Sequence, residues 1–191
     1  MALNAAQQLI NYGQSAWYDN ISRDLLFSGG LKKLIADCGV RGLTSNPTIF
    51  DNALKKGSAY DGQILSLRAK KLSTDSLFEE LALQDIAAAA DLLLPVYQES
   101  NGVDGFVSIE VSPLLARDAK GTVEAARKLF DRLARQNVMI KIPGTPEGLP
   151  AVKSALEQGI NVNVTLLFSV ENYVQVAKTY CEALRARLKS G

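Results

Sequence analysis

The chain has 191 residues and a formal net charge of +1, with 47% hydrophobic and 21% charged residues. This length is enough for one domain with a sizeable core and too short for two ordinary ones. The balanced charge gives no indication of a nucleic-acid or anionic-membrane partner. The sequence has no histidine and two cysteines, Cys38 and Cys181, which excludes Cys/His zinc sites and mechanisms that need an imidazole base.

Two stretches bear on localisation. Residues 1–10 lack the basic segment followed by an apolar segment that is typical of a secretory signal. The most apolar stretch, residues 86–96, is interrupted by Asp91 and Pro95 and is too short to span a bilayer. We therefore expect a cytoplasmic protein with reduced thiols and no membrane partner.

Along the chain, short β-branched runs alternate with amphipathic stretches. The runs predict strands over residues 16–22, 40–46, 105–112, 138–143 and 160–168. Helices are predicted over residues 31–38, 78–99, 122–136, 147–158 and 170–189. Ser76 with Glu79 predicts a capping box, Ser169 predicts the cap of the last helix, and Gly159 predicts a left-handed helix end.

Strands that alternate with helices predict an α/β protein with a parallel sheet. Both a doubly wound sheet and a (β/α) barrel fit this succession. No G-x-G-x-x-G or P-loop motif follows the first strand, which removes the best-marked nucleotide-binding option.

The predicted strands carry polar side chains on one face, although strands of a parallel sheet are normally apolar on both. In a barrel this face points inward, and the C-terminal strand ends form the active-site mouth. In an open sheet, helices would cover the polar groups. The pattern therefore favours a (β/α)₈-type (TIM) barrel, formed here by a single partial domain over residues 1–191. The polar face comprises Asp19, Thr44, Asn46, Ser108, Glu110, Ser112, Lys141, Asn161, Asn163 and Thr165.

Lys141 lies between Ile140 and Ile142, and a lysine inside a strand is rarely buried without a partner. Burial favours the neutral amine, which can attack a carbonyl carbon and form a Schiff base. With no histidine present, carboxylates would have to carry the proton transfers of that chemistry. The structural alternative is an ion pair of Lys141 with Glu110 or Asp19.

Asn46, Asn163 and Thr165 are neutral hydrogen-bonding residues that suit sugar hydroxyls or a held water. The alternative is capping or turn formation, which the Asn46-Pro47 pair makes a strong competitor. Trp17 and Phe168 are assigned to core packing.

Four ordered stretches resemble the transaldolase family. Residues 42–48 are Gly-Leu-Thr-Ser-Asn-Pro-Thr, and residues 138–148 are Val-Met-Ile-Lys-Ile-Pro-Gly-Thr-Pro-Glu-Gly. Residues 108–111, Ser-Ile-Glu-Val, and residues 163–168, Asn-Val-Thr-Leu-Leu-Phe, follow the same order. The first strand, residues 17–23, is similar to the variant in the larger bacterial and cyanobacterial members.

This resemblance implies a class I aldolase-type (β/α)₈ barrel without a metal or organic cofactor. It implies transfer of a dihydroxyacetone unit from sedoheptulose 7-phosphate or fructose 6-phosphate to an aldose phosphate such as glyceraldehyde 3-phosphate, in the non-oxidative pentose phosphate pathway. Lys141 would be the nucleophile and Asp19 the acid/base for carbon–carbon cleavage. Glu110 would move protons through a water positioned with Thr165. The substrate would contact Thr44, Asn46 and Asn163.

The chain departs from the family pattern because the barrel has eight strands and about 250 residues. We therefore expect the N-terminal five-eighths of a longer enzyme, or a chain that associates through its two bare sheet edges. Exposed apolar surface is expected where further helices would pack. The expected phosphate-binding positions are not matched by Arg23, Arg41, Arg117 or Arg127.

Two other functions stay open. A smaller fructose 6-phosphate aldolase would share the lysine, but the long insert at residues 58–83 disfavours it. A non-catalytic truncated fragment or assembly module would keep the same residues without activity.

Overall fold

The computed structural model of the protein describes residues 3–190. Its strands form one sheet in the order β1-β2-β3-β4-β5, with parallel pairing between β1 and β2 and between β4 and β5. All five predicted strands are confirmed; four are shorter than predicted, and β4 has the predicted bounds. The strands are β1 (Ala16–Asp19), β2 (Val40–Thr44), β3 (Phe106–Glu110), β4 (Val138–Pro143) and β5 (Val162–Thr165).

Helices connect the strands, as parallel pairing requires. The predicted helices correspond to α3 and α6 to α9, whereas α1, α2, α4 and α5 were not predicted. Within residues 3–190, no helix is long and apolar enough to cross a membrane. The helices are α1 (Ala5–Gln8), α2 (Arg23–Phe27), α3 (Gly30–Cys38), α4 (Pro47–Leu54), α5 (Asp61–Leu67), α6 (Thr74–Glu99), α7 (Ala119–Leu133), α8 (Leu149–Glu157) and α9 (Val170–Ser190).

The sequential strand order distinguishes the two sheet types that the sequence allowed. A doubly wound sheet reverses its strand order at a switch point, whereas successive strands of a (β/α) barrel lie side by side. The α/β class and the incomplete (β/α)₈-type barrel with five β/α units are confirmed. The single-domain assignment stays a prediction.

Two of the three predicted caps are confirmed. Asn172 N donates to Ser169 Oγ at 3.1 Å at the start of α9, and Gly159 has φ +80° after α8. The capping box at Ser76 was wrong, because α6 begins one turn earlier. Ser73 has the extended backbone of an N-cap, and its Oγ accepts a hydrogen bond from Ser76 N at 3.2 Å.

The chain divides into two compact units, of which the first holds residues up to Val107 together with Arg135–Asn137. Its core contains the buried stripe of α6, including Ile86 and Leu93, and Leu43 of β2, all 0% exposed. Polar contacts fix the N-terminal strand ends. Asp104 accepts hydrogen bonds from Arg41 Nε at 2.6 Å and from Ser15 Oγ at 2.5 Å.

The second unit holds residues 108–134 and the chain from Val138 onward. Ile140 and Ile142 of β4 are 0% exposed, as are Val152 and Ala155 of α8. Small side chains let α8 and α9 approach closely, and Ala183 of α9 is also fully buried. This packing leaves the other face of α9 uncovered within the described chain.

That uncovered face is apolar, which confirms the predicted exposed apolar surface. It continues from the segment after β5, where Leu166 is 53% and Phe168 is 87% exposed. The assignment of Phe168 to the core was therefore wrong, since no described element packs over it. Trp17 is half-buried, and a Cβ at Gly42 would overlap its indole ring. The exposed residues of α9 are Val170, Tyr173, Val174, Tyr180, Leu184 and Leu188.

Candidate active site

The candidate nucleophile Lys141 lies in the middle of β4, and its side chain is 11% exposed. Its Nζ is 3.6 Å from Glu110 Oε2, and the Glu110 side chain is 23% exposed. This separation is longer than a hydrogen bond, so the pair is held by charge attraction. The structure thus contains the ion pair that was the structural alternative, and the same pair places a carboxylate where it can exchange protons with the amine.

A row of polar residues extends across the second unit from this pair. Asn163 of β5 is the register partner of Lys141, and its Nδ2 donates to Ser108 Oγ at 3.2 Å. Thr165, half-buried at the end of β5, is the register partner of Pro143. The polar face of β3, β4 and β5 therefore brings together an amine, a carboxylate, an amide and hydroxyl groups.

Two other predicted members of the polar face form hydrogen bonds with backbone groups instead. Asn161 precedes β5, and its Nδ2 donates to the carbonyl of Val138 at 3.0 Å. Ser112 lies beyond the end of β3, and its Oγ accepts a hydrogen bond from Leu114 N at 3.4 Å. The prediction that Ser112 continues the strand was wrong, because the chain turns into a short 3₁₀ helix at Pro113–Leu115.

In the first unit, Asp19 and Thr44 are register partners at the C-terminal ends of β1 and β2. Asp19 is exposed and Thr44 is half-buried. Active-site residues of such folds come from these strand ends. Among residues 3–190, no three side chains of His, Cys, Asp or Glu form a group that could hold a metal ion.

Asn46 of the same unit is the N-cap of α4. Its Oδ1 accepts a hydrogen bond from Ile49 N at 2.9 Å, and Pro47 occupies the first position of the helix. The capping alternative is therefore the interaction that the structure has. The side-chain NH₂ group is the part of Asn46 that a substrate hydroxyl could still contact.

The sequence did not predict a buried charged cluster in the first unit. Arg23 Nε donates to Asp85 Oδ1 at 3.0 Å, and Tyr60 OH donates to Asp85 Oδ2 at 2.7 Å. The guanidinium carbon of Arg23 lies 4.2 Å from the centre of the Tyr60 ring. Burial raises the pKa of the Asp85 carboxyl above its ordinary value. Burial, with the hydrogen bond to Asp85, also raises the pKa of Tyr60.

One signal of this cluster was present in the sequence. Asp85 lies on the buried stripe of α6, between Ala82 and Ala89, which are 3% and 0% exposed. An acid at such a position requires a cation or several donors. Arg23 belongs to the stretch of resemblance at residues 17–23 and was excluded as a phosphate-binding residue, and neither observation assigned it a role.

Comparison with known proteins gives a consistent set of relatives. The family model Transaldolase/Fructose-6-phosphate aldolase matches residues 16–189. Transaldolase of Trichodesmium erythraeum is 47% identical over 100% of this chain and 50% of the relative. Transaldolase of Thermobifida fusca is 49% identical over 97% of the chain and 50% of the relative. Transaldolase 2 of Nostoc sp. is 47% identical over 100% of this chain and 50% of the relative. The chain thus spans about half the length of these relatives.

Proposed function

Because this chain belongs to the transaldolase/fructose-6-phosphate aldolase family, we propose that it carries the Schiff-base machinery of a transaldolase. The observation that supports this most directly is the largely buried Lys141 amine, 3.6 Å from Glu110. The proposed substrates are sugar phosphates, and the reaction moves a dihydroxyacetone unit from a ketose phosphate to an aldose phosphate. We also propose that this chain forms a single partial barrel domain.

In the proposed reaction, Lys141 first passes a proton to Glu110, and the resulting neutral amine attacks the C2 carbonyl carbon of the ketose. Glu110 moves protons while water leaves and the protonated imine forms, with Thr165 positioning a water for that transfer. The C3–C4 bond then breaks, and its electron pair moves into the imine to give an enamine. Asp19 accepts the proton of the C4 hydroxyl as the aldose phosphate departs, and it returns a proton when a new aldose adds.

The remaining polar residues bind the three-carbon unit in this proposal. Asn163 adjoins Lys141 on the next strand, which suits a hydrogen bond to a substrate hydroxyl. Thr44 adjoins Asp19 in the same way. Asn46 contributes its side-chain NH₂ group, because its Oδ1 already accepts the helix hydrogen bond.

Borohydride trapping tests the proposal. The chain is incubated with fructose 6-phosphate, reduced, and digested for peptide mass analysis. We expect a dihydroxyacetone-derived adduct on Lys141 that is lost in Lys141→Ala. Lys153→Ala is the matched control, since Lys153 belongs to the same unit but is a half-exposed partner of Glu182. No adduct, while a full-length relative labels normally, would contradict activity of this chain alone.

The second candidate, an assembly module, is favoured by the exposed apolar face of α9 and the β5 sheet edge. We propose that two copies associate through this surface. Light scattering after size exclusion should show an oligomer that Tyr173→Glu with Leu188→Glu dissociates. Gln175→Glu with Ser190→Glu adds the same charge away from the apolar face and should leave the oligomer intact. A monomeric wild-type chain would contradict the association.

A cytoplasmic location is also proposed. Cys38 and Cys181 are exposed and free, which suits a reducing compartment. Alkylation of both cysteines in extracts prepared without reductant would support this location, and their oxidation would contradict it.

A further inference from the structure

The chain is anchored four residues after the candidate acid/base Asp19. Arg23, the first residue of α2, is 7% exposed. Its Nε donates to Asp85 Oδ1 at 3.0 Å and its Nη1 to the carbonyl of Ala59 at 3.2 Å. Its Nη2 donates to Gln84 Oε1 at 3.1 Å and also to Gln63 Oε1. The planar guanidinium is therefore held in one orientation by several acceptors.

These acceptors come from two separate parts of the first unit. Ala59 and Gln63 belong to the connection between β2 and α6, whereas Gln84 and Asp85 lie in α6 itself. Tyr60 adds its ring beneath the guanidinium, with the centre 4.2 Å away, and its hydroxyl binds Asp85. A movement of α2 would break contacts with both parts at once.

The segment between Asp19 and Arg23 is held by two contacts of its own and is unpacked on one side. Ile21 is 0% exposed, and Ser22 caps α2 by accepting a hydrogen bond from Leu25 N at 3.2 Å. On one side the segment borders a cavity of about 210 Å³, which is also lined by Asn20 and Tyr60. Because that side is not packed, the contacts of Arg23 are needed in addition to the burial of Ile21 and the Ser22 cap to hold the turn.

From this arrangement we infer that Arg23 is a positioning residue for Asp19. The inference rests on the proposed function, in which the Asp19 carboxylate takes a proton from the C4 hydroxyl during carbon–carbon cleavage. Asp19 ends its strand and is exposed. Its placement is set by the register with Thr44 and by the following turn, which the Arg23 anchor helps to hold. Schiff-base formation at Lys141 does not use Asp19 and is independent of the anchor.

Arg23→Lys tests this assignment, because it keeps the charge and removes the planar set of donors. The matched control is Arg41→Lys. Arg41 belongs to the same unit and donates through Nε to Asp104 at 2.6 Å, at the N-terminal end of β2. Both variants lose an Nε hydrogen bond to a buried aspartate, but only Arg23 lies next to the turn that follows Asp19.

The first readout separates imine formation from cleavage. Reduction with fructose 6-phosphate gives a six-carbon adduct on Lys141 before the C3–C4 bond breaks and a three-carbon adduct afterwards. In Arg23→Lys we expect the ratio of three-carbon to six-carbon adduct to fall about ten-fold, because a small misplacement of a catalytic group is costly. The adduct formed with dihydroxyacetone alone should stay within about two-fold of wild type, since that step does not need Asp19.

The second readout does not require activity. Hydrogen–deuterium exchange of the α2 amides Leu26 and Ser28, which donate to the carbonyls of Ser22 and Asp24, should be faster in Arg23→Lys than in Arg41→Lys. Unchanged exchange and an unchanged adduct ratio would overturn the inference. Faster exchange with an unchanged ratio would also overturn it, because the anchor would then be structural only.

A wild-type chain that forms no adduct with either sugar would contradict the proposed function of this chain. The exchange comparison would then decide the anchoring separately. Equal exchange in Arg23→Lys and Arg41→Lys would overturn it, and faster exchange confined to Arg23→Lys would support it.

Discussion

Asp85 receives a hydrogen bond on each of its carboxylate oxygens, from Arg23 and from Tyr60. Its side chain is 0% exposed, so water cannot replace a lost donor. Tyr60→Phe keeps the packing of the ring and leaves Asp85 Oδ2 without the hydroxyl. We expect the free energy of unfolding to fall by about 2 kcal/mol, measured by urea denaturation.

Tyr12→Phe is the control for that substitution, because Tyr12 is 80% exposed. It should change the free energy of unfolding by less than about 0.5 kcal/mol. Equal effects in the two variants would show that the Tyr60 hydroxyl contributes nothing beyond general packing.

The ion pair between Asp91 and Arg135 makes stability depend on pH. Arg135 Nε and Nη2 donate to the two Asp91 oxygens at 2.7 and 2.8 Å, which holds the pKa of the Asp91 carboxyl below its ordinary value. A lowered folded-state pKa stabilises the fold above about pH 4 and loses that contribution as the pH falls through the lowered value. Because the Arg135 side chain is 33% exposed and the Asp91 side chain 58% exposed, solvent screens the pair.

Asp91→Asn should therefore lower the free energy of unfolding by about 0.5 kcal/mol at pH 7. The difference from wild type should shrink as the pH falls below about 4. Denaturation curves at several pH values measure it, and the difference at pH 7 should also shrink in about 1 M salt. A difference that grows in acid would give the opposite sign to the shift and would contradict the assignment.

At the scale of elements, the connection from α6 to β3 turns sharply at Gly105. This residue has φ +82°, and an added Cβ would lie 2.2 Å from the backbone N of Tyr97. Gly57 has a similar φ of +70° but nothing within 4 Å of an added Cβ. Alanine substitutions at the two glycines therefore separate the energetic cost of backbone strain from that of steric overlap.

We expect Gly57→Ala to cost about 1 kcal/mol from the left-handed backbone alone. Gly105→Ala should cost more than about 3 kcal/mol, because α6 or the start of β3 must also move. Thermal unfolding of both variants measures the difference. Similar melting temperatures would show that the connection relaxes without disturbing its neighbours.

The strands could be predicted from sequence because each is a short apolar run, and in β3 and β5 apolar and polar side chains also alternate, as in Ser108-Ile109-Glu110. The helices α1, α2, α4 and α5 have four to eight residues, too few turns to establish a period of 3.6. The start of α6 was misplaced because Ser73, Thr74, Asp75 and Ser76 can each cap a helix, and only the backbone conformation selects Ser73.

The candidate site and the charged cluster beside it could be predicted only in part. Lys141 and Glu110 could be placed on one face because neighbouring strands share the alternation, and the structure puts them 3.6 Å apart. Arg23 and Asp85 are 62 residues apart in sequence, and no periodicity relates a turn to a distant helix. Their pairing follows only from the packing of α2 against α6.

At the scale of the whole molecule, the absence of histidine fixes the charge over a wide range of pH. With 21 basic and 20 acidic residues, few groups titrate ordinarily between the carboxylates near pH 4 and the lysines near about pH 10. The proposed association through α9 should therefore vary little between about pH 6 and pH 8.

Light scattering across that pH range, at low and high salt, measures this prediction. Apolar contacts persist in salt, whereas contacts between charges are screened. Dissociation by salt or by a change of pH would assign the association to charged residues elsewhere on the surface.

The contacts of Arg23 have a consequence for anyone who redesigns this scaffold. The segment between α4 and α6 could be mistaken for a dispensable surface loop and shortened to make a smaller barrel. It supplies Ala59, Tyr60 and Gln63 to the guanidinium or to its partner Asp85, so its excision would remove three of the hydrogen-bond partners of a buried ion pair. A shortened version must exchange Arg23 and Asp85 together for apolar residues of similar volume.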